Sequence, residues 1–437
     1  MAVFRPASVL ALLVAVCLAS EDARALDWAS GKLTLARYTQ AFTRTSKDGD
    51  PLQSSGSLWL SLGPKLPEPF FFKAEVLGTV FYDSIDRRGD WDADADVKEL
   101  WAGIDRSGFE FRAGQLLVPW GKTDGVNPTD YLTGRDLNYL SRDDAFTRLG
   151  APGVFAAFTP NGGDSPFQFT GVWNFSYAQS RLLIPPEAVP AGLPVVTKAS
   201  NPEIGSDHFE FAGKIAYLGW SWDASISAFH GRSHFPQFVY ENGVASPAFV
   251  KEEAIGADFS RTFDGAVLRF ETAYFFMYDG ARGLEDMALT QPDHWDFVAG
   301  FERPFGTGFR ALVQALYRYY PVLPDSQAYV GPDPVTTAIA RGVARANALL
   351  VNYQEKSRLG ATLMVSYESP EGDFEASVNV IGNFVGGDYR LSPELGYRVF
   401  PNAKVYLGAN YYGGPDDRPI GALKNYSTVF VEGQYAF

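Results

Sequence analysis

Seven charged side chains crowd a stretch that breaks the rhythm of the chain around it. In G114-QLLVPWGKTDGVNPTDYLTGRDLNYLSRDDAFTRLG-150, Lys122, Asp124, Asp130, Arg135, Asp136, Arg142 and Arg148 mix both signs, with Asp143 and Asp144 beside them. Opposed charges at a narrow passage create a transverse field that sets ion preference and orients polar solutes. The same charges could instead pair with their surroundings and hold the segment in place, and the sequence leaves both readings open. Neither chemistry is catalytic. The chain carries no phosphate loop, nucleophile elbow or metal-protease helix, and its four histidines lie near no defensible Ser-bearing turn. An enzyme is therefore not expected.

Two further groups could bind metal. D90-WDADAD-96 places Asp90, Asp92, Asp94 and Asp96 at alternate positions, hard oxygen ligands of the kind Ca²⁺ takes. The Gly and bidentate Glu of an EF-hand loop are missing, so an acidic external loop without an ion is the competing reading. His230 and His234 in H230-GRSH-234 sit four apart, a ligand spacing on a helix, but this segment follows a strand. No other cofactor is implied.

These residues are set among segments of about 10–12 residues that alternate apolar and polar, the length of a tilted bilayer-crossing strand. In D373-FEASVNVIGNF-384, Phe374, Ala376, Val378, Val380, Gly382 and Phe384 share one face, and Asp373, Glu375, Ser377, Asn379, Ile381 and Asn383 the other. Segments 266–278, 309–319, 358–368 and 403–412 repeat the pattern. The strands of a soluble β-sandwich also alternate, but average about 5–6 residues. Tyr and Phe also gather at segment ends, as interfacial girdles do. The fold class expected is all-β, a transmembrane antiparallel β-barrel of about 18 strands with 16 next. The pieces near 55–63 and 152–159 carry the weakest signal.

Composition agrees. The chain has 437 residues, 15% aromatic, with 43 glycines and a mean hydropathy of −0.11. After the N-terminus no apolar run reaches the roughly 18–20 residues of a membrane helix. Residues 1–25 read as a cleaved signal peptide: Arg5, an apolar run from Ala7 to Ser20, then Ala23-Arg24-Ala25. The one cysteine, Cys17, falls inside it, so disulfides and thiolate metal sites are excluded from the mature chain. Residues 26–437 are expected to form a single barrel domain. Removing the signal takes away Arg5 and Arg24 with Glu21 and Asp22, so the formal charge stays at −14. An acidic exported chain is a poor nucleic-acid binder.

Connections alternate in length. Short ones fall at 105–108, 218–219, 263–265, 304–308, 369–373 and 400–403. Long ones fall near 43–54, 83–95, 119–151, 179–206, 231–251, 279–292, 320–356 and 413–424. Outer-membrane barrels keep short turns on the periplasmic side and long loops outside. The charged stretch is then the third external loop, and its length marks it as functional. Polar strand faces carry Arg112, Arg269, Arg310, Arg318, Arg358, Arg390 and Arg398, with Glu110, Glu271, Glu368, Glu375 and Glu394. Each Arg turned to lipid at midplane would cost about 2–4 kcal/mol, each Glu less, so these residues are expected to line a water-filled lumen. Residues 335–353 read as a helix with Ile339, Val343, Ala346 and Leu350 on its apolar stripe.

The final segment, N425-YSTVFVEGQYAF-437, has apolar residues at every second position up to Phe437. It resembles the assembly signal of bacterial outer-membrane barrels. Together with the signal and the alternation, it makes the mature chain similar to bacterial porins, whose third loop folds into the lumen. R112-x-G-Q-x-x-x-x-W-G-K-x-D-x-x-x-P-x-D130 further resembles a signature of porin-like families loosely related to alginate-export and substrate-selective porins. The resemblance implies a Gram-negative outer-membrane channel for passive diffusion of small polar or charged solutes, narrowed by loop 119–151. The alternative is an exporter barrel for polysaccharide or lipid-like material working with periplasmic partners. Outer-membrane lipids, lipopolysaccharide, the barrel assembly machinery and small solutes are the partners implied, and a homo-oligomer is compatible with the sequence.

Overall fold

In a computed structural model of the chain, the residues described are 29–40, 52–83, 90–137, 141–182, 205–241, 244–278, 291–323, 325, 330–331 and 333–437. The signal segment lies outside them, as do parts of several external loops, including 41–51, 183–204 and 279–290. Eighteen antiparallel strands form one sheet that closes on itself. They are β1 Ala29–Gln40, β2 Leu52–Leu62, β3 Phe70–Asp83, β4 Asp90–Arg106, β5 Phe109–Leu116, β6 Ala151–Phe158, β7 Phe167–Asn174, β8 Glu210–Leu218 and β9 Trp222–Arg232. The second half comprises β10 Lys251–Phe263, β11 Ala266–Tyr278, β12 His294–Phe305, β13 Phe309–Tyr319, β14 Ser357–Glu368, β15 Phe374–Asn383, β16 Asp388–Phe400, β17 Ala403–Gly413 and β18 Thr428–Ala436. The two weakest segments of the sequence are thus full wall strands, β2 and β6.

Closure is made by β1 and β18, paired from Lys32↔Ala436 to Gln40↔Thr428. Phe437 extends the pairing by exchanging backbone hydrogen bonds with Gly31, 2.9 Å each way. A side chain at position 31 would strike the Phe437 ring, so glycine is what lets that ring lie over β1. A closed sheet leaves no strand edge unsatisfied in hydrocarbon.

The wall follows the period-2 pattern. On β18, Val429 and Val431 point outward while Thr428, Phe430 and Glu432 are buried within. On β11, Leu268, Phe270 and Tyr278 are exposed outside while Glu271 and Ala273 are buried inside. Aromatic rings meet in belts on the outer face, among them Tyr217–Trp222 at 4.4 Å, Phe309–Tyr367 at 4.7 Å and Tyr274–Phe276 at 4.7 Å.

Three expectations change. The Asp90–Asp96 run is not in a loop: β3 reaches Asp83 and β4 begins at Asp90, so the run is the outer half of β4. The β3–β4 register shifts between Glu75 and Val76, leaving Lys98 as an extra residue. This β-bulge resets the alternation. Glu99 and Trp101 point inward below it and Lys98, Asp96 and Asp94 point inward above it, while Val97, Leu100 and Trp91 are exposed outside. Second, one external connection, residues 384–387 between β15 and β16, is short. Third, the inner-side connections 63–69 and 159–166 join the short ones already noted.

Helix Pro334–Leu350 lies in the seventh external loop, capped by Asp333, whose carboxylate accepts from Val335 N and Thr336 N at 2.8 and 2.9 Å. Val343, with Ile339, Ala346 and Leu350, packs on Phe238 and Ala245 of the hairpin Gln237–Glu241/Val244–Ala248. Asn347 locks the contact: Phe238 N donates to its Oδ1 at 2.6 Å and its Nδ2 donates to Phe238 O at 2.8 Å.

Candidate functional site: the third loop inside the lumen

The third external loop, residues 117–150, leaves β5 at Val118-Pro119-Trp120 and turns into the barrel. The ladder ends at Leu116, and Pro119, with no N–H to donate, cannot resume it. Its first anchor is Glu271, at mid-height on β11 and fully buried. That carboxylate accepts from Lys122 N, from Thr123 N at 2.5 Å, from Thr123 Oγ1 at 3.0 Å, and from Thr129 N and Oγ1 at 3.4 and 3.0 Å. A buried anion is tolerable when several donors converge on it. Beside this anchor, Tyr131 stacks on Phe229 of β9 at 5.6 Å, meets Phe275 of β11 at 6.1 Å, and shares a hydrogen bond with Ser227 at 3.3 Å. Trp120, Tyr131 and Leu132 join Val172, Ala212, Phe229, Ala254 and Ala273 in an apolar cluster inside the barrel.

The loop then crosses the lumen. Arg142 donates two 2.8 Å hydrogen bonds to Glu394 on β16 and lies 3.7 Å from the Tyr406 ring centroid on β17. Asp143 pairs with Lys32 of β1 at 2.5 Å. Phe146, in the short helix Asp144–Thr147, stacks on Trp59 of β2 at 5.4 Å. Lys98 at the β4 bulge, 1% exposed, donates to Phe146 O at 2.8 Å and Arg148 O at 3.0 Å. The loop thus touches β9 and β11 at one end and β16, β17, β1 and β2 at the other, opposite sides of an eighteen-strand ring.

Every charge singled out on the loop has a partner. Lys122 pairs with Asp223 at 3.4 Å and Asp124 with Arg269 at 3.5 Å. Arg148 reaches Asp130 at 3.2 Å and Asp144 at 3.0 Å, and Arg135 pairs with Asp144. Burial pushes the Asp130 carboxyl above the usual carboxylate range, against the pull of Thr133 and Arg148. Asp136, 2% exposed, receives Arg181 at 2.8 Å. Asp124, with a side chain 57% exposed, and Asp144 open most to water.

Arg181 was not legible as a site residue. It comes from the fourth loop, where Arg181–Leu182 pairs in parallel with Asp136–Leu137. Its guanidinium also meets Asp94 at 2.9 Å and Asp96 at 3.0 Å. The carboxylates of Asp94, Asp96 and Asp136 lie within 4.8 Å of one another. Of the four residues of the acidic run, Asp94 and Asp96 thus converge on an arginine, Asp92 accepts from its neighbour Ala93 N at 2.8 Å, and the side chain of Asp90 lies outside those described. The two histidines also part: His230 meets Glu253 on the outer face, and His234 meets Glu210 inside, each at 2.8–2.9 Å.

Wall charges form ladders between neighbouring strands. Glu302 on β12 joins Arg269 at 2.5 Å to Arg310 at 3.1 Å. Asp296 takes both arms of Arg318 at 2.5 Å. Glu375 pairs with Lys404, and Arg398 lies 3.8 Å from Asp373. Arg358 donates to Asn352 O at 3.2 Å. Arg112 pairs with Glu110 and stacks between Trp101 and Phe155, 4.9 Å from each centroid. Glu271, expected as lumen lining, is a loop anchor closed off from water.

No protein-family model and no curated protein matches the sequence. Solved structures do match the fold. Pseudomonas aeruginosa OccK5 (OpdH) aligns over 94% of this chain and 98% of its own, with TM-score 0.52 and 12% identity. The outer membrane protein opdK of Pseudomonas aeruginosa aligns over 94% and 99%, with TM-score 0.50 and 12% identity. Acinetobacter baumannii OccAB2 aligns over 94% and 98%, with TM-score 0.52 and 10% identity. At these identities the likeness is one of fold, over nearly the whole of each chain.

Proposed function

We propose that this eighteen-strand barrel is an outer-membrane porin through which small polar or charged solutes diffuse down their gradient. The observation that carries the reading is the third loop, tied to both sides of the ring by Glu271 and by Arg142 with Lys32. A loop held at two walls narrows the lumen to a fixed aperture, since neither end is free to swing. The contacts described above leave the inner wall of β12–β15 facing the loop across that aperture. Arg269, Glu302, Arg310, Arg318 and Arg358 then border the path with both signs, which favours orientation of polar solutes over strong selection for one ion charge. The outer membrane as location is supported by the apolar outer wall, the aromatic belts, and the fold shared with the outer membrane protein opdK. Nothing in the fold or its neighbours favours the exporter reading.

The test is single-channel conductance in planar bilayers for the wild type and for a chain lacking residues 124–145. The wild type should conduct without partner proteins, and the deletion should raise conductance and blunt solute discrimination. A wild type that stays closed alone, or a deletion that leaves both properties unchanged, overturns the reading.

A further inference from the structure

The outer wall is not uniformly smooth. Across β13–β17, on the side of the short turns, lies a groove of about 450 Å³. It arises from small residues set among large ones. In one cross-strand row, Phe309, Tyr367, Ala376, Leu395 and Leu407 are successive neighbours, and Ala376 leaves a gap between the Tyr367 and Leu395 side chains. In the next row, Val378 pairs with Pro393. There the β16–β17 ladder passes from Leu391↔Tyr411 to Glu394↔Gly408 with Ser392 and Pro393 unpaired on that side. Proline has no N–H to donate, and Ala409 opposite is too small to fill the space.

We propose that this groove holds one acyl chain of a phospholipid from the periplasmic leaflet. The proposal rests on the reading of the outer wall as hydrocarbon-facing. Three observations choose the occupant. The apolar side chains that line the groove point outward, as the exposure of Val378, Leu395 and Leu407 shows, so the apolar phase of the bilayer covers it. Its position beside the Phe309–Tyr367 ring pair, next to the short turns 306–308 and 369–373, puts it in the leaflet nearer the periplasm. Its relief is one of alternating large and small side chains in two adjacent cross-strand rows, running from Phe309 and Tyr367 to Leu407 and Ala409. A narrow, shallow slot of that extent fits a hydrocarbon chain better than a second copy of the barrel.

Native mass spectrometry of the full barrel, reconstituted with phosphatidylethanolamine and then stripped with detergent, tests this. The wild type should retain one phospholipid that survives stripping. Ala409→Trp and the milder Ala376→Leu fill the groove and should lose it, while Ala299→Trp, on the outer face of β12, should keep it. Heat-modified migration on gels identifies variants that have folded, and Ala376→Leu keeps the test informative if the tryptophan does not. A folded wild type with no retained phospholipid, retention undiminished in both groove variants, or a change of oligomeric state in those variants in place of lipid loss overturns the assignment. Conductance of the same wild-type preparation separates the two readings: a conducting barrel that holds no phospholipid sinks the groove alone.

Discussion

Glu271→Ala should free one end of the third loop without opening the barrel. The carboxylate serves Lys122, Thr123 and Thr129 at once and is fully buried. A hydrogen bond to a charged group contributes about 1.5–3 kcal/mol, and buried donors left without an acceptor add a penalty. These bonds share one carboxylate and do not sum. We take about 3–5 kcal/mol for the truncation, the range found when one partner of a buried charged contact is removed. Even about 3 kcal/mol raises the population of a detached loop by roughly a hundredfold. The wall itself is untouched, because Glu271 keeps its backbone pairing with Asp258 and Val298. Single-channel recordings should therefore show a larger, noisier conductance from a protein that still folds. Glu271→Gln should do less, since its carbonyl oxygen can still accept from Thr123 while its NH₂ turns a donor toward Thr129. A folded Glu271→Ala channel with wild-type amplitude and wild-type noise would refute the two-anchor account.

Other perturbations probe separate parts. Arg142→Lys keeps the charge but loses the fork that holds Glu394 and the flat face over Tyr406, so conductance noise should rise nearly as far as in Arg142→Ala; quiet recordings from the lysine variant would contradict this. Deleting Lys98 removes the bulge but joins outward Val97 to inward Glu99 in regular alternation, so the barrel should still assemble as judged by heat-modified migration, while loss of the Lys98 bonds to Phe146 O and Arg148 O should raise conductance noise; a deletion that fails to assemble would contradict this. His234 bears on pH. Burial pulls its pKa down, but the Glu210 carboxylate outweighs this, with smaller help from Glu252 and the Thr133 carbonyl, and the folded value lies above 6.5. Its contribution is then complete below 6.5 and is lost as pH rises through the folded pKa. Hydrogen exchange around Ser233–Phe235 should quicken over that range in the wild type, and His234→Gln should remove the pH dependence.

Much of the wall could be read directly from the chain, because period-2 alternation is a local property. β11, β13, β15 and β18 show their two faces in sequence with no ambiguity. The Lys98 bulge broke that logic. Nothing in D90-WDADAD-96 signals that two residues will oppose one across β3, and without the bulge the run looked like a loop. The loop's charges were legible as a group but their partners were not, since Glu394, Asp223 and Lys32 lie far away along the chain. Distance in sequence also hid Arg181, an unremarkable residue until the fourth loop meets the third. The apolar anchors Trp120, Tyr131 and Leu132 carried a readable hint, being out of place in an exposed loop, yet only the closed ring shows what they pack against.

The positions of Lys32, Trp59, Glu394 and Tyr406 tie the aperture to the order of events during biogenesis. Two of them belong to the first strands made and two to the last hairpins, and they become neighbours only when β1 meets β18. A partly assembled sheet can already offer Glu271, Lys32, Trp59 and Lys98 to the loop, but Glu394 and Tyr406 reach Arg142 only when the seam forms. The sieve is therefore completed by the same step that seals the wall, and an unsealed intermediate, however native its strands, would leave the guanidinium of Arg142 without its carboxylate.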